Sequence, residues 1–408
     1  MKILVLAGNY DPKPDANGAC IKAIIEQFKK NKIEVHTICL GYMDEQKHFD
    51  LDPQTHHILT NRPISFREMK GIKKVLYVMK RLLLLPVWPM IRPDLMVRYY
   101  NLGVKLHRQH NFEVIISVQN PIETVEAGYK IKKKYPQAKF AVYTMDPVTN
   151  SYKNIDSPLF KYLSRRWEKK IFDGANAIFP LECHRNHYTQ KEYVKYHNLI
   201  EFVDVPLFHV DTIKSEAFLN EENPDKAIKL IYAGSFYYKL REPFYLLKCC
   251  KEIIRQNNKV EIHFYTSGAF EELIKEEAKC SNGKIFAHGY VDPKTLDIAI
   301  QESNILLSVG NSTTEMVPSK IFMYISTGKP IIHFYDNEKD ICIQYFKKYP
   351  LVLLVNQNNN YNYKINYINI FIKENHKNKS DISFLKMNYF RNTPEYSASQ
   401  IIARLFKK

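Results

Sequence analysis

The sequence predicts an α/β chain built as two doubly wound, Rossmann-like domains facing a cleft. Short β-branched runs alternate with segments of helical period along most of the chain, the pattern of parallel sheets covered by helices. The alternation breaks once, over residues 210–227, at a polar stretch containing Asn220-Glu221-Glu222-Asn223-Pro224-Asp225 that reads as an interdomain linker, and then resumes. The 408 residues suit two domains at roughly 100–200 residues each.

In the first half the expected strands are Ile3–Ala7, Val35–Leu40, Val114–Val118, Phe140–Thr144, Ala177–Leu181 and Glu201–Val205. Between them, helices are expected near Ala19–Lys30, Arg67–Leu85, Ile122–Tyr135 and Leu159–Phe172. The second series has strands at Leu230–Gly234, Glu261–Thr266, Ile285–Ala287, Ile305–Val309, Pro330–Tyr335 and Leu351–Val355. Its helices fall near Glu242–Gln256, Phe270–Cys280, Lys294–Glu302 and Ser319–Thr327, and a final helix near Ser397–Phe406 ends the chain. The Asn-rich tract Asn356–Asn362 reads as a loop. The domains are therefore placed at 1–209 and 228–385, with a C-terminal helical segment over 386–408. A ligand is expected at the carboxyl ends of the strands.

Hydrophobic residues at 45% and charged residues at 25% are globular values that exclude a disordered or fibrous chain. The net charge of +16 points to a polyanionic partner: nucleic acid, anionic lipid or a phosphorylated substrate. The cysteines number seven, with no CxxC, so neither a disulfide framework nor a zinc knuckle is expected, and a reducing cytosol fits best. The start, Met1-Lys2-Ile3-Leu4-Val5, is too short for a signal-peptide core. The most apolar stretch, Leu82–Ile91, carries Pro86 and Pro89 and is about half the length that spans a bilayer, so a soluble or peripheral protein is expected.

Familiar catalytic fingerprints are absent. The first strand ends in Gly8-Asn9-Tyr10-Asp11, not GxGxxG, and Gly328-Lys329-Pro330 is no Walker A. Neither HExxH nor GxSxG occurs. Asp50-Leu51-Asp52 is a D-x-D, but its setting between Phe49 and Pro53 reads as a solvated loop. His184 and His187 beside Cys183 lack a third ligand in a recognisable frame and read as a solvated helix. No metal site is expected.

The informative segment runs from Asn311 to Ile332. A strand ending at Gly310 leads into a polar loop; Pro318 suits the first turn of a helix, where its missing N–H costs nothing. Ser319 and Lys320 then sit at a positive helix end that favours phosphate. Pro318-Ser319-Lys320-Ile321-Phe322-x-Tyr324-x-x-Thr327-Gly328-Lys329-Pro330-Ile331-Ile332 resembles the donor-site signature of GT-B-fold, family-4-like glycosyltransferases. The resemblance extends over most of the chain. Tyr232-Ala233-Gly234-Ser235 resembles the strand and glycine turn opening the family's donor domain, with Lys239 and Arg241 where it keeps diphosphate-binding cations. His288-Gly289-Tyr290-Val291 resembles the loop holding the nucleotide base, and Tyr143-Thr144-Met145-Asp146-Pro147 a strand end facing the cleft in the acceptor domain. The final helix matches one that crosses back to the first domain.

The resemblance implies sugar transfer, retaining and independent of metal and cofactor, from a nucleotide-diphosphate sugar to a glycan or polyprenyl-diphosphate-linked acceptor. Such work belongs to bacterial capsule, exopolysaccharide or lipopolysaccharide O-antigen synthesis. Gly234, Ser235, Lys239, Arg241, Gly289, Tyr290, Pro318, Ser319 and Lys320 would bind the donor, and Glu315 would hold the transferred sugar. Asn120 and Asp146 end first-domain strands and are placed to meet the acceptor hydroxyl; for Asp146 a cap on the turn at Pro147 stands equally. One departure matters: the family's E-x7-E pair would fall at Glu315 and position 323, which is Met. A nucleotide-sugar epimerase of the same fold and a non-catalytic nucleotide-sugar-binding protein are the alternatives.

The stretch from Arg62 to Arg98 interleaves Arg67, Lys70, Lys73, Lys74, Lys80, Arg81 and Arg92 with Val75, Leu76, Val78, Met79 and Leu82–Leu85, and Trp88 follows. The apolar run is wider than one stripe, so an interfacial segment on an anionic membrane, at the cytoplasmic face, is preferred over a helix with leucines in the core. No nucleic-acid-binding motif accompanies the charge.

Overall fold

The computed structural model describes residues 1–12, 14–49, 52–62, 69–150, 157–209, 227–312, 317–358 and 361–406. Glu315, Asp50, Arg67 and residues 210–226 of the expected linker lie outside the described residues. The chain divides into two compact units, Met1–Leu207 with Pro394–Lys408, and Phe208–Thr393.

The first unit carries strands β1 (Lys2–Asn9), β2 (Glu34–Tyr42), β3 (Thr55–Thr60), β4 (Val114–Val118), β5 (Lys139–Thr144) and β6 (Ala177–Pro180). The second carries β7 (Ile228–Ala233), β8 (Val260–Tyr265), β9 (Ile285–Ala287), β10 (Ile305–Val309), β11 (Ile331–Tyr335) and β12 (Val352–Asn356). Each unit is a six-stranded sheet, ordered β3-β2-β1-β4-β5-β6 and β12-β11-β10-β7-β8-β9. The central pairings β1–β4 and β7–β10 are parallel, as are the rest. Counted from its own first strand, each sheet has the same order, so each has a switch point where the chain turns in opposite directions: β1/β4 and β7/β10. Helices cover both faces, so β4 and β10 are buried along their whole length, which is why they read as unbroken apolar runs.

Several elements differ from expectation. In the second unit the helices Ile341–Phe346, Tyr361–Asn375 and Ile382–Asn388 were not anticipated, and Tyr361–Asn375 begins inside the Asn-rich tract read as a loop. In the first unit three elements differ. Thr55–Thr60 forms β3, an edge strand whose Thr and His residues mask its period. Pro93–His110 is a long helix, started by its proline, with Leu95, Met96, Tyr99 and Leu106 in the core; the Tyr99 hydroxyl donates to the Ala7 carbonyl, fixing the helix to β1. Glu201–Val205 is not a strand of the sheet. It runs beside β6 through isolated bridges, Ile178 with Ile200 and Leu181 with Val203. Its ladder has Ile178 N–H on Leu199 O, then Glu182 N–H on Val203 O; the donor between them would be residue 180, a proline without an N–H.

The expected helix over Arg67–Leu85 is observed as Ile72–Leu83, and no residue of it is buried. Ile72, Val75, Leu76, Met79, Leu82 and Leu83 form one stripe of helical period, with Leu83 at 79% exposure. Trp88 is not part of that surface. It is 7% exposed, its indole N–H donates to Ser164 Oγ at 2.9 Å, and Arg81 lies over its ring. The segment after it is held by Glu123, whose carboxylate accepts the Ile91 and Arg92 N–H groups. Among the described residues no helix is long and apolar enough to cross a membrane.

The last helix, Pro394–Phe406, returns to the first unit and packs on the helix Ala16–Lys30, with Gln27 Nε2 donating to Glu395 and Lys139 Nζ donating to the Leu405 carbonyl. Residues 386–393 belong to the second unit.

Close packing of helix on sheet makes Gly128 obligatory. A Cβ there would stand 2.1 Å from Ser117 Oγ and 2.7 Å from the Phe140 ring. Gly128→Ala is expected to destabilise the first unit by about 1–3 kcal/mol, read as a lower urea midpoint; an unchanged midpoint would show that this helix is free to lift.

Candidate functional site

In the second unit the site residues gather along the carboxyl edge of the sheet. β7 ends into Gly234 and Ser235, and the chain then makes a tight loop closed by paired backbone bonds between Tyr237 and Arg241. Lys239, at φ +62°, is at its tip and exposed. Arg241 is turned inward. Its Nε and Nη2 both donate to Asn311 Oδ1, at 3.1 and 2.8 Å, and Nη1 reaches the Ser235 carbonyl at 3.4 Å. Since Asn311 follows β10, the guanidinium bridges the β7/β10 switch point. A second tie, Ser312 N–H to the Leu240 carbonyl at 2.8 Å, holds the same two loops together.

Arg241 is unusual among partly buried arginines in its partners, which are amide and carbonyl oxygens. Among the described residues no carboxylate pairs with it. Among the described residues its positive charge is therefore oriented by neutral acceptors alone, an arrangement that suits an anion. The neighbouring Tyr232 hydroxyl is pushed up to about 12 by burial, with the Arg241 charge opposing.

A buried polar network supports the loop from below. His333 on β11 meets Ser308 Oγ through Nδ1 (3.0 Å) and Asp340 Oδ2 through Nε2 (3.1 Å), and Asp340 Oδ1 caps the helix Ile341–Phe346 at Cys342 N–H. Gly310, just before Asn311, leaves room for that carboxylate: a Cβ there would fall 1.8 Å from Asp340 Oδ2. Asn311, His333 and Asp340 were not anticipated as a group. They come from the loop after β10, from β11 and from the loop before the helix Ile341–Phe346, and the sequence signal is no more than a Gly-Asn pair at a strand end.

The segment that carries the family resemblance turns out to be largely scaffold. The helix expected from Pro318 spans Lys320–Ser326, so Pro318 precedes it and Ser319 is its N-cap, with no side-chain capping bond. Burial lowers the Lys320 amine, with Asp297 opposing. Tyr324 is buried, and its hydroxyl oxygen accepts the Ala233 N–H at 2.8 Å, joining this helix to the end of β7 beside Gly234. Thr327 and Gly328 (φ +70°) end the helix. Lys329 is buried and donates to the Ile300, Gln301 and Ser303 carbonyls, capping the helix Pro293–Glu302; burial pulls it down to about 7. Gly289, at φ +68°, and the exposed Tyr290 follow β9 on the same edge, behind His288, which stacks on Tyr265.

In the first unit Asn120 and Asp146 follow β4 and β5, and Gln119 joins them: its Nε2 donates to the Asp146 carbonyl at 2.5 Å. Gly8 on β1 lets this loop approach, since a Cβ would be 2.2 Å from the Asn120 carbonyl. The Asp146 carboxylate is half-exposed and lies 3.7 Å from Nε2 of buried His184, which bonds the Met145 carbonyl at 2.8 Å. His184 and His187 do not converge on one point. His187 faces Tyr193 and Thr149 instead. Asp52, the described half of the D-x-D, is taken by Lys29, Gln54 N–H and Thr55.

Below Asp146 a chain of buried hydrogen bonds runs from Thr144 through Tyr188 to Glu168, and from Glu168 through Tyr193 to His187. Burial, with His184 adding, pulls His187 down to about 4. The unfolded chain, with an ordinary histidine, binds this proton between about pH 6.5 and 4 while the folded chain does not. Stability from this group is therefore lost as pH falls through that window, by up to about 3 kcal/mol. Thermal melts at pH 7.5 and 5 are expected to show a smaller drop in His187→Gln than in the wild type; an equal drop would mean that His187 protonates freely in the folded protein.

No protein-family model and no curated protein matches the sequence. Solved structures do. The chain is similar to a glycosyltransferase from Rickettsia africae, at 12% identity and a TM-score of 0.63 over 100% of this chain and 99% of that one. It is similar to the lipopolysaccharide outer core galactosyltransferase WaaB in its apo form, at 11% identity and 0.56 over 100% and 99%. It is similar also to the UDP-GlcNAc 2-epimerase from Neisseria meningitidis bound to UDP-GlcNAc, at 11% identity and 0.58 over 100% of both chains. At such identities the likeness establishes the fold, the two-unit α/β architecture shared by GT-B glycosyltransferases and these epimerases.

Proposed function

We propose that the chain is a glycosyltransferase that moves a sugar from a nucleoside-diphosphate sugar to a glycan or lipid-linked acceptor, with retention, in the assembly of a bacterial surface polysaccharide. The observation that carries this reading is Arg241, a cation at the switch point of the second sheet that is oriented by amide and carbonyl oxygens and, among the described residues, pairs with no carboxylate. Transfer breaks the bond between the anomeric carbon and the diphosphate oxygen and forms one to an acceptor oxygen. The acceptor proton is lost, and the leaving diphosphate gains charge. Arg241 is placed to offset that charge, with Lys239 on the same loop, so metal is assigned no part in the step. Asn120 and Asp146 are the first-unit groups proposed to meet the acceptor. Glu315 is proposed to hold the transferred sugar.

Calorimetry with UDP, GDP and their sugars tests the donor site. Arg241→Ala is expected to weaken binding by about 1.5–3 kcal/mol, as for other charge-assisted contacts; equal affinity would remove Arg241 from the site. The epimerase-like fold supports a second reading. Incubating UDP-GlcNAc with and without a glycan acceptor, in EDTA, separates the two. Sugar incorporated into acceptor supports transfer, whereas conversion of free UDP-GlcNAc to its 2-epimer would replace it.

We propose further that the helix Ile72–Leu83 rests on anionic membrane. Its apolar stripe is exposed, with no cover among the described residues, and Lys73, Lys74 and Lys80 flank it, each worth about 1 kcal/mol near an anionic leaflet. Leu83→Ser is expected to lower sedimentation with anionic vesicles and leave the melting temperature unchanged. The triple Lys→Gln variant should lose the part of the binding that salt screens. Wild-type sedimentation by both variants would sink the membrane assignment.

A further inference from the structure

The opposite end of the first sheet holds a cluster that the proposed reaction does not use. Glu34 and His36 lie two residues apart on β2 and so project from the same face. His110, the last residue of the helix Pro93–His110, reaches them from the side. Glu34 Oε1 stands 3.3 Å from His36 Nε2 and 3.7 Å from His110 Nδ1, and the three atoms lie within 4.8 Å of one another. A tetrahedral zinc ion with bonds of about 2.0–2.1 Å spaces its ligand atoms about 3.3 Å apart, so the set needs little movement to close on a metal.

The surroundings agree. His36 Nδ1 lies 3.3 Å from Nε2 of His56 on β3. If that nitrogen donates its hydrogen to His56, the Nε2 lone pair of His36 is directed toward Glu34 Oε1, an arrangement that a bound cation satisfies. An outer partner of this kind commonly fixes the tautomer of a ligating histidine. Lys2 occupies the other oxygen, Glu34 Oε2, at 3.4 Å and leaves Oε1 to the histidines. Glu34 and His110 are each about a third exposed, so an ion can enter and a water can complete its shell. The cluster also lies at a helix C-terminus, where the backbone dipole favours a cation.

We propose that Glu34, His36 and His110 form a binding site for a zinc-class divalent cation, with His56 as the outer partner of His36. Two imidazoles and one carboxylate select zinc, cobalt or nickel over magnesium and calcium, which take oxygen ligands. The site lies at the amino ends of β2 and β3, away from Asn120 and Asp146 at the carboxyl ends, so its role is to clamp the end of the long helix to the sheet. Among the described residues the other group with suitable atoms is His333, Asp340 and Cys342. That group is sealed in the core, and its histidine and carboxylate already bond to protein.

The test uses the full chain, stripped with a chelator and titrated with Zn²⁺ alone by calorimetry, with Co²⁺ absorption reporting geometry. One ion per chain, a tetrahedral Co²⁺ spectrum and a higher melting temperature with Zn²⁺ are expected. His110→Ala and Glu34→Gln, both at partly exposed positions, should each weaken binding at least tenfold, and His56→Phe by about tenfold or more. His57→Asn should leave binding unchanged. Absence of stoichiometric Zn²⁺ binding by the wild type would overturn the proposal. So would binding that survives both His110→Ala and Glu34→Gln, or equal affinity for Mg²⁺.

Discussion

The two hydrogen bonds from the Arg241 guanidinium to Asn311 Oδ1 stand at the place where the architecture leaves room for charge. A parallel sheet covered on both faces buries its strands completely, and an unpaired polar group within it is expensive. Polar chemistry is therefore confined to the strand ends. At β7/β10 the connections depart in opposite directions, and the gap between them is filled by Arg241 from one side and Asn311 from the other. The Ser308–His333–Asp340 network below and the Tyr324 hydroxyl beside it tie the same strand ends together, so the position of the cation depends on the sheet as a whole.

Much of this architecture was legible in the sequence because it is local. Val114–Val118 and Ile305–Val309 are observed as strands with the residues expected, since a fully buried strand shows as a bounded apolar run, and the short, partly buried Ile285–Ala287 is also observed as expected. The edge strand Thr55–Thr60 was not legible, because its residues are chosen for one half-polar face. Trp88 shows the same limit from the other side. A tryptophan next to a basic apolar helix looks interfacial, yet its partner is Ser164, far along the chain. The candidate site divides in the same way. Arg241 was reached through the family resemblance of the segment around the Gly234 turn, but its acceptor, Asn311, is 70 residues away. The Gln119–Asp146 contact and the chain of hydrogen bonds down to His187 are likewise products of topology.

The first unit separates its chemistry by position. Asn120, Asp146 and Gln119 occupy the carboxyl edge, the histidine cluster the amino edge, and the helix Ile72–Leu83 a face of its own. The excess of positive charge is then spent in different ways. Lys73 and Lys80, beside the apolar stripe, are exposed, and any attraction they exert is subject to salt. His36 and His56, crowded at the base of β2 and β3, are held below the usual histidine range, by burial first and by neighbouring imidazoles second.

The family-like segment from Pro318 to Ile332 deserves to be weighed by what its residues touch. Tyr324 fastens a strand, Thr327 and Gly328 stop a helix, and Lys329 caps another helix. These are scaffold roles, and none of them requires a donor. Discrimination must come from groups that the scaffold does not consume. Arg241 is such a group, since amide and carbonyl oxygens orient it and, among the described residues, no carboxylate pairs with it. Were its partner a carboxylate, the pair would be closed and the loop merely structural. Position 323 bears on choice, not on charge: a methionine there offers no carboxylate to sugar hydroxyls, so under the proposed reading Arg241 and the first turn of this helix would have to supply more of the donor binding.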